Sequence, residues 1–371
     1  MSETAPLEIF LVAMPGLEAA LRDEAVERGF ADARVVEGGV ALTGVWADVW
    51  RANLELRGPT RVLVRIASFR AMHLAQLDKR ARKVPWGEFI RSDVPVVVEA
   101  SCRKSKIYHA GAAAQRVATA IAEELGAPIR DDAALRIMVR IEDDLATISI
   151  DTSGESLHKR GHKEAVNRAP MRETMASLFL RQCGYRGTEP VLDPMCGSGT
   201  FVIEAAEIAT GLKPGRTRSF AFEQLVGFDA AAWQALKGQS LPAPTEFRFH
   251  GSDRDAGAVA MSRENAKRAG ISGITTFTET DIADLTPPDG PPGLVIINPP
   301  YGTRIGDKSA LQALYAQFGK VMKQRFKGWR IAIITTDAGL AKQSGLPFLP
   351  PGPPVLHGGL RVTLWQTSAL R

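Results

Sequence analysis

The stretch VLDPMCGSGTF, residues 191–201, decides the fold. Two aliphatics, Val191 and Leu192, run into Asp193, and a short loop carrying Gly197 and Gly199 follows. Residues 200–209 then repeat apolar side chains at helical spacing. The order is strand, loop, helix. The two glycines let the backbone approach a ligand closely. The N-terminus of the helix offers unpaired N–H groups that suit a carboxylate. A nucleotide loop or a plain tight turn has the same outline, but neither GxGxxG nor GxxxxGK[ST] is present.

The pattern repeats towards the C-terminus. Residues 247–252 read as a strand, 256–269 as a helix and 294–298 as a buried aliphatic run. Residues 311–326 read as a helix, 330–335 as a strand and 360–366 as an alternating final strand. This alternation predicts an α/β domain on a doubly wound, Rossmann-like sheet that binds ligands at its strand ends.

Three further elements fall at such ends. HGSDRD (250–255) sets Asp253 where a carboxylate accepts from ribose hydroxyls, while Asp255 suits the N-cap of the next helix. TETDIADL (278–285) sets Asp281 beyond a third strand, where it can accept from an adenine amino group, and Asp284 reads as a turn residue. IINPPYG (296–302) runs an apolar strand into Asn298, Pro299, Pro300 and Tyr301. The prolines lack N–H groups and fix the backbone, leaving carbonyls exposed. The Asn298 side-chain oxygen and the Pro299 carbonyl can accept both hydrogens of an exocyclic amine, and the Tyr301 ring can stack a flipped base. A rigid turn with a packed tyrosine uses the same residues. Its position after a fourth strand, downstream of the other elements, favours chemistry.

Taken together, residues 165–371 resemble class I S-adenosylmethionine-dependent methyltransferases that act on amino groups. DPMCGSGT is similar to that family's first motif and NPPY to its fourth, catalytic one. The resemblance implies that Asp193, Gly197 and Gly199 surround the methionine part of S-adenosylmethionine, with Pro194, Cys196 and Thr200 completing the cofactor loop. Asp253 would meet the ribose and Asp281 the adenine. Asn298, Pro299, Pro300 and Tyr301 would handle the target amine.

The N-terminal half reads as two small α+β units. The first has strands at 7–13 and 61–68, helices at 17–28 and 46–53, and a hairpin over 35–42. The second has a strand at 94–100, a helix over 109–125 closed by Gly126, and a hairpin of 135–141 with 145–151. SGESLHKRGHKEAVNRAP (153–170) has linker composition, and 171–183 reads as a helix. KVPWGEFI (83–90), SKIYHAGAAAQRVATAI (105–121) and the insertion PGRTRSFAFE (214–223) resemble the THUMP-domain branch of guanine-N2 RNA methyltransferases. That branch implies a ferredoxin-like subdomain over 1–66, a THUMP RNA-binding domain over 67–155, a linker over 156–170 and a methyltransferase domain over 171–371.

Charge fits a polyanion partner. The chain has 371 residues, a formal net charge of +5 and a pI of about 9.1. Residues 1–170 hold 24 Lys and Arg against 24 Asp and Glu, so the excess lies in the C-terminal half. Locally, however, Arg57, Arg61, Arg65, Arg70, Lys79, Arg80, Arg82 and Lys83 are opposed only by Asp78. With Arg103, Lys104 and Lys106, all of these except Arg65 are the candidate RNA phosphate contacts. The three cysteines form no CxxC pair, so no metal site is expected. No run approaches the roughly 20 apolar residues of a membrane helix, and the first ten residues do not read as a signal peptide, so the cytoplasm is expected.

The expected reaction is methyl transfer to a guanine N2 in RNA, ribosomal RNA ahead of transfer RNA. Adenine N6 and cytosine N4 are also exocyclic amines, so NPPY alone admits them, in DNA as well. A non-catalytic RNA-binding assembly factor is a further reading, opposed by the intact first motif and NPPY.

Overall fold

The computed structural model describes residues 6–164, 171–238, 242–300 and 308–371. The chain forms two compact units. The first comprises residues 1–13, 21–157 and 218–239, and the second 14–20, 158–217 and 240–371.

The first unit is built on a seven-stranded sheet. Its strands are β1 (Leu7–Val12), β2 (Arg34–Val36), β3 (Gly39–Gly44), β4 (Arg61–Arg70), β5 (Val96–Arg103), β6 (Leu135–Glu142) and β7 (Leu145–Asp151), in the order β2-β3-β1-β4-β7-β6-β5. Its main helices are α1 (Glu18–Glu27, which starts in the second unit), α2 (Trp46–Glu55), α3 (Leu74–Ala81) and α4 (Ala110–Leu125). β6 alternates buried and open residues, as a sheet with one covered face requires. β6 turns into β7 through Asp143 and Asp144, both at positive φ, the two-residue turn whose twist suits a hairpin. The two small units read from the sequence share this one sheet. β4 straddles residue 66, pairing with β1 on one side and with β7 from Leu63 to Arg70 on the other.

The first unit also takes residues 218–239, which the sequence reading assigns to the methyltransferase-like half. Phe222 and Trp233 of this stretch pack with Trp50 of α2, and Phe220 stacks on Phe222; Trp233 lies on α7 (Ala230–Gly238). The Phe222 and Trp233 rings meet edge to face at 5.0 Å. The Arg218 guanidinium donates to the carbonyls of Ser153, Glu155 and Ser156.

The second unit is the doubly wound sheet. Its strands are β8 (Val191–Asp193), β9 (Phe249–Asp253), β10 (Thr275–Glu279), β11 (Leu294–Ile297), β12 (Arg330–Thr335), β13 (Val355–His357) and β14 (Leu360–Gln366), in the order β10-β9-β8-β11-β12-β14-β13. The first five are parallel, and β14 pairs antiparallel with both β12 and β13. Helices α5 (Glu173–Gln182), α6 (Thr200–Ala209), α8 (Ala256–Ala269), α9 (Lys308–Arg325) and α10 (Ala338–Gln343) complete it. β11 is buried along its whole length, the signature of a central parallel strand. Phe318, Met322 and Phe326 fill the core against Val295, Ile297, Ile331 and Ile333. Strand order reverses between β8 and β11, the position where such sheets bind ligands.

Residues 157–163 depart from the expected linker. Leu157, Arg160 and His162 are no more than 3% exposed. Arg160 pairs with Glu204 on α6 at 3.2 Å, and Glu207 on the same helix pairs with Arg216 at 2.6 Å and with His162 at 3.9 Å. Both glutamates are fully buried; Arg160 of this stretch supplies the cation for Glu204 and Arg216 the one for Glu207, while burial lowers the pKa of the His162 imidazole. Residues 165–170 lie outside the described residues. No helix among the described residues is long and apolar enough to cross a membrane.

Candidate active site

The C-terminal ends of β8, β9, β10 and β11 converge on a cavity of about 430 Å³. From the first motif Asp193, Pro194, Cys196, Gly197 and Thr200 line it. Asp253 and Asp281 come from the next two strand ends, and Asn298, Pro299 and Pro300 from the fourth. Tyr301 lies outside the described residues.

Local chemistry shapes the first-motif loop. The Met195 amide donates to Asp193 Oδ1 at 3.0 Å, and the Gly197 amide donates to Asp253 Oδ2 at 3.0 Å. The two carboxylates thereby fix the loop between them. Gly197 has φ +54°, and a Cβ there would meet nothing within 4 Å. Gly199 differs. It does not line the cavity, and a Cβ on it would come within 3.1 Å of Ser262 and 3.2 Å of Phe277 at φ +82°. It is required for packing as well as for its left-handed backbone. Ser262 and Asn265 on α8 donate to the carbonyls of Gly197 and Ser198, each at 3.0 Å. Gly199 is the N-cap of α6 and has no side chain, so the first amides of that helix donate to no cap side chain.

Burial sets the electrostatics of three groups at the site. Burial pushes the Asp193 carboxyl up to about 8; the Met195 amide opposes this, and neighbouring Asp253 adds to it. At Asn298 the side-chain oxygen is buried and accepts no hydrogen bond from the described residues. A buried acceptor without a donor costs roughly 1–3 kcal/mol, so it awaits a donor in the cavity. Burial also raises the Cys196 thiol, leaving a neutral wall.

Asp255 caps α8, its carboxylate accepting from the Gly257 amide at 2.8 Å. Asp281 accepts from the Ala283 amide at 2.9 Å, and the Asp284 amide closes the turn onto the Asp281 carbonyl.

Sequence reasoning missed three supports. Lys163, in the expected linker, donates to Thr200 Oγ1 at 2.8 Å and to the Met171 carbonyl at 3.1 Å, and pairs with Glu173 at 3.3 Å. Met171 and Thr200 both line the cavity. Tyr315 on α9 donates to the Pro300 carbonyl at 3.5 Å and bonds Thr335. The α8 residues Ser262 and Asn265 are the third. None carries a local motif, since each acts on a segment distant in sequence.

The basic run divides. Arg57 is 3% exposed, and its own amide donates to buried Glu24, so it is no RNA contact. Arg61 holds the buried carboxylate of Asp151 and the Gly154 carbonyl, a structural role. Arg82 is committed to Asp78, Glu123 and Glu124. Arg70, Lys79, Arg80, Lys83, Lys104 and Lys106 are exposed. Arg103 is exposed too, but pairs with Glu37 and Glu142.

Comparison with known proteins accords with both units. Residues 8–63 match the RlmL ferredoxin-like domain and 71–151 the THUMP domain. Ribosomal RNA large subunit methyltransferase K/L of Marinomonas sp. (strain MWYL1) is 33% identical over 96% of this chain and 52% of its own length. The chain thus spans about half the length of the curated relatives it matches. SMU.472, solved in complex with SAH, is 27% identical with a TM-score of 0.88, over 99% of both chains. A predicted N6-adenine-specific DNA methylase from Listeria monocytogenes is 28% identical with a TM-score of 0.87, over 98% of this chain and 96% of that one. With residues 160–345 matching the RMKL-like methyltransferase domain, the chain belongs to that family of methyltransferases.

Proposed function

We propose that the protein transfers a methyl group from S-adenosylmethionine to the exocyclic N2 amine of a guanine in RNA, with 23S ribosomal RNA as substrate, in the cytoplasm. The observation that carries the reading is the buried oxygen of Asn298, which has no donor among the described residues, in the cavity at the β8–β11 switch.

The residues fit this cofactor. Asp193 has a carboxyl that a cationic amino acid head would ionise. Asp253 and Asp281 are acceptors at successive strand ends, suited to ribose hydroxyls and the adenine amine. The open space beside Gly197 admits a ligand close to the backbone. When bound, the sulfonium supplies an electrophilic methyl group.

The chain's own residues position the acceptor. The guanine N2 amine is a poor nucleophile because its lone pair delocalises into the ring. Asn298 Oδ1 accepts one amino hydrogen and the Pro299 carbonyl the other, which favours a more tetrahedral nitrogen and frees the lone pair. Pro300 cannot donate, so it offers no competing N–H, and Tyr315 anchors its carbonyl. Tyr301 stacks the base. The proton lost from the methylated nitrogen leaves to water. Positioning supplies most of the rate.

Arg70, Lys79, Arg80, Lys83, Arg103, Lys104 and Lys106 of the first unit are the RNA contacts in this reading. The domain assignment is ferredoxin-like, then THUMP, then methyltransferase. The ribosomal RNA large subunit methyltransferase K/L relatives support ribosomal RNA as substrate, and the resemblance of residues 214–223 to the guanine-N2 branch supports guanine. The likeness to the Listeria protein favours a second reading, methylation of adenine N6.

The test is transfer of labelled methyl groups from S-adenosylmethionine to purified ribosomal RNA, followed by nucleoside digestion. Label in N2-methylguanosine with wild type, and a loss of at least about 100-fold with Asn298→Ala at unchanged cofactor affinity, is the expected result. Label in N6-methyladenosine would move the assignment to adenine.

A further inference from the structure

One end of the first unit's sheet gathers backbone that is rare elsewhere. Among the described residues three non-glycine residues have left-handed φ: Lys104 (46°), Asp143 (48°) and Asp144 (63°). All three meet where β4 and β5 stop and β6 turns into β7. The hairpin turn explains the two aspartates. It does not explain Lys104, for which glycine or asparagine would cost less.

The loop after β5 is held rigidly. Ser105 Oγ donates to the Arg103 carbonyl at 2.7 Å and accepts from the Asp144 amide at 3.1 Å. The Lys106 amide donates to the Asp144 carboxylate at 2.7 Å. The Ala71 amide donates to the Asp144 carbonyl at 2.9 Å, and Arg70 to the Asp143 carbonyl at 3.3 Å. Strain fixed by this many bonds marks a loop kept for what it presents.

It presents cations and a bare ring. Lys104, Lys106 and Arg70 are exposed. The Lys106 ammonium meets the Met72 thioether at 3.7 Å, not a carboxylate. Tyr108 is 85% exposed, with no ring contact or hydrogen bond among the described residues. It precedes His109, the N-cap of α4, and so occupies the position where an apolar residue normally packs onto the helix's first turn. It does not pack there. Nearby anions are already engaged: Asp144 by the Lys106 amide, Glu142 by Arg140 and Arg103. A guanidinium lies over the Phe69 ring at 5.8 Å, extending the basic face along β4 through Arg80.

We propose that this corner is a single-stranded RNA site in which Tyr108 stacks on one base while Lys104, Lys106 and Arg70 hold the flanking phosphates. An unpacked aromatic beside lysines that form no close ion pair among the described residues suits an anion that also carries π faces, and single-stranded nucleic acid has both. A duplex hides its base faces, so it cannot use the ring. The inference rests on the reading of RNA as the substrate.

The test is fluorescence anisotropy with the full chain and a labelled single-stranded RNA of about 12 nucleotides, beside the same sequence as a duplex. Stacking of one base is worth roughly 1–3 kcal/mol, so Tyr108→Ala should weaken single-strand binding about 5- to 150-fold, with Tyr108→Phe close to wild type. Lys104→Gly should lower affinity and reduce the salt slope by about 0.7, while raising the thermal midpoint by relieving the left-handed backbone. Lost affinity in a stabilised variant excludes misfolding as the cause. Unchanged single-strand affinity in Tyr108→Ala, equal preference for the duplex, or no binding by wild type would each overturn the proposal. Failure of the catalytic reading shows separately, as absent methyl transfer to RNA with the Tyr108 effect intact. Intact methyl transfer with an unaltered KM for RNA in Tyr108→Ala overturns the corner alone.

Discussion

Cofactor binding should release a proton, and Asp193 sets how much. Its carboxyl is fully desolvated at the end of β8 and rises from 3.8 to about 8. At pH 7 it is then about nine-tenths protonated in the free protein. A ligand with a cationic head beside it restores the charged form, so each molecule bound at pH 7 should release about 0.9 proton, falling to about 0.5 at pH 8 and about 0.1 at pH 9. Isothermal titration of S-adenosylhomocysteine in buffers of different ionisation enthalpy reads this number directly as a slope. Asp193→Asn should abolish the slope and weaken binding. The same shift has a stability consequence. The folded carboxyl holds its proton more tightly than the unfolded one, so stability falls as pH rises from about 4 to about 8, by on the order of 5 kcal/mol in total. Asp193→Asn should therefore raise the thermal midpoint relative to wild type at pH 9 and change it least at pH 4. A buffer-independent binding enthalpy at pH 7 would refute the reasoning, because the carboxyl would then already be charged before the ligand arrived.

Three further outcomes follow from the packing. Lys163→Met removes the donor to Thr200 and Met171 and should weaken cofactor affinity about tenfold by titration, with partial rescue in Lys163→Arg. Arg160→Met removes the paired cation from buried Glu204 and should cost about 3–5 kcal/mol in urea unfolding; the double change with Glu204→Leu should recover much of it. Phe318→Ala opens a cavity behind β11 and β12 and should cost about 3–5 kcal/mol, measured the same way.

What was legible in the sequence was local. Residues 200–209 and 256–269 are α6 and α8, because a turn or capping residue sits immediately before each apolar repeat. Asp193, Asp253, Asp281 and Asn298 share one cavity because each ends a parallel strand, and the doubly wound order brings those ends together. What was illegible depends on partners far along the chain. HKRGHK looks like a solvated linker until buried Glu204, some 40 residues on, is seen to need the Arg160 cation. The aromatics at 220–233 give no local sign that they pack with Trp50. Arg57 and Arg61 look like Arg70 in a row of charges, and only Glu24 and Asp151 distinguish them. Gly199 looks like a cofactor glycine, and its close approach to Ser262 and Phe277 on distant segments is invisible locally.

The most direct test of the central claim is the nucleoside content of RNA from cells lacking this protein. Ribosomal and transfer RNA are purified separately, digested and quantified by mass spectrometry, with wild type and Asn298→Ala used for complementation. The account predicts that N2-methylguanosine falls in the ribosomal pool alone and returns with wild type but not with Asn298→Ala. Unchanged N2-methylguanosine in both pools would contradict it.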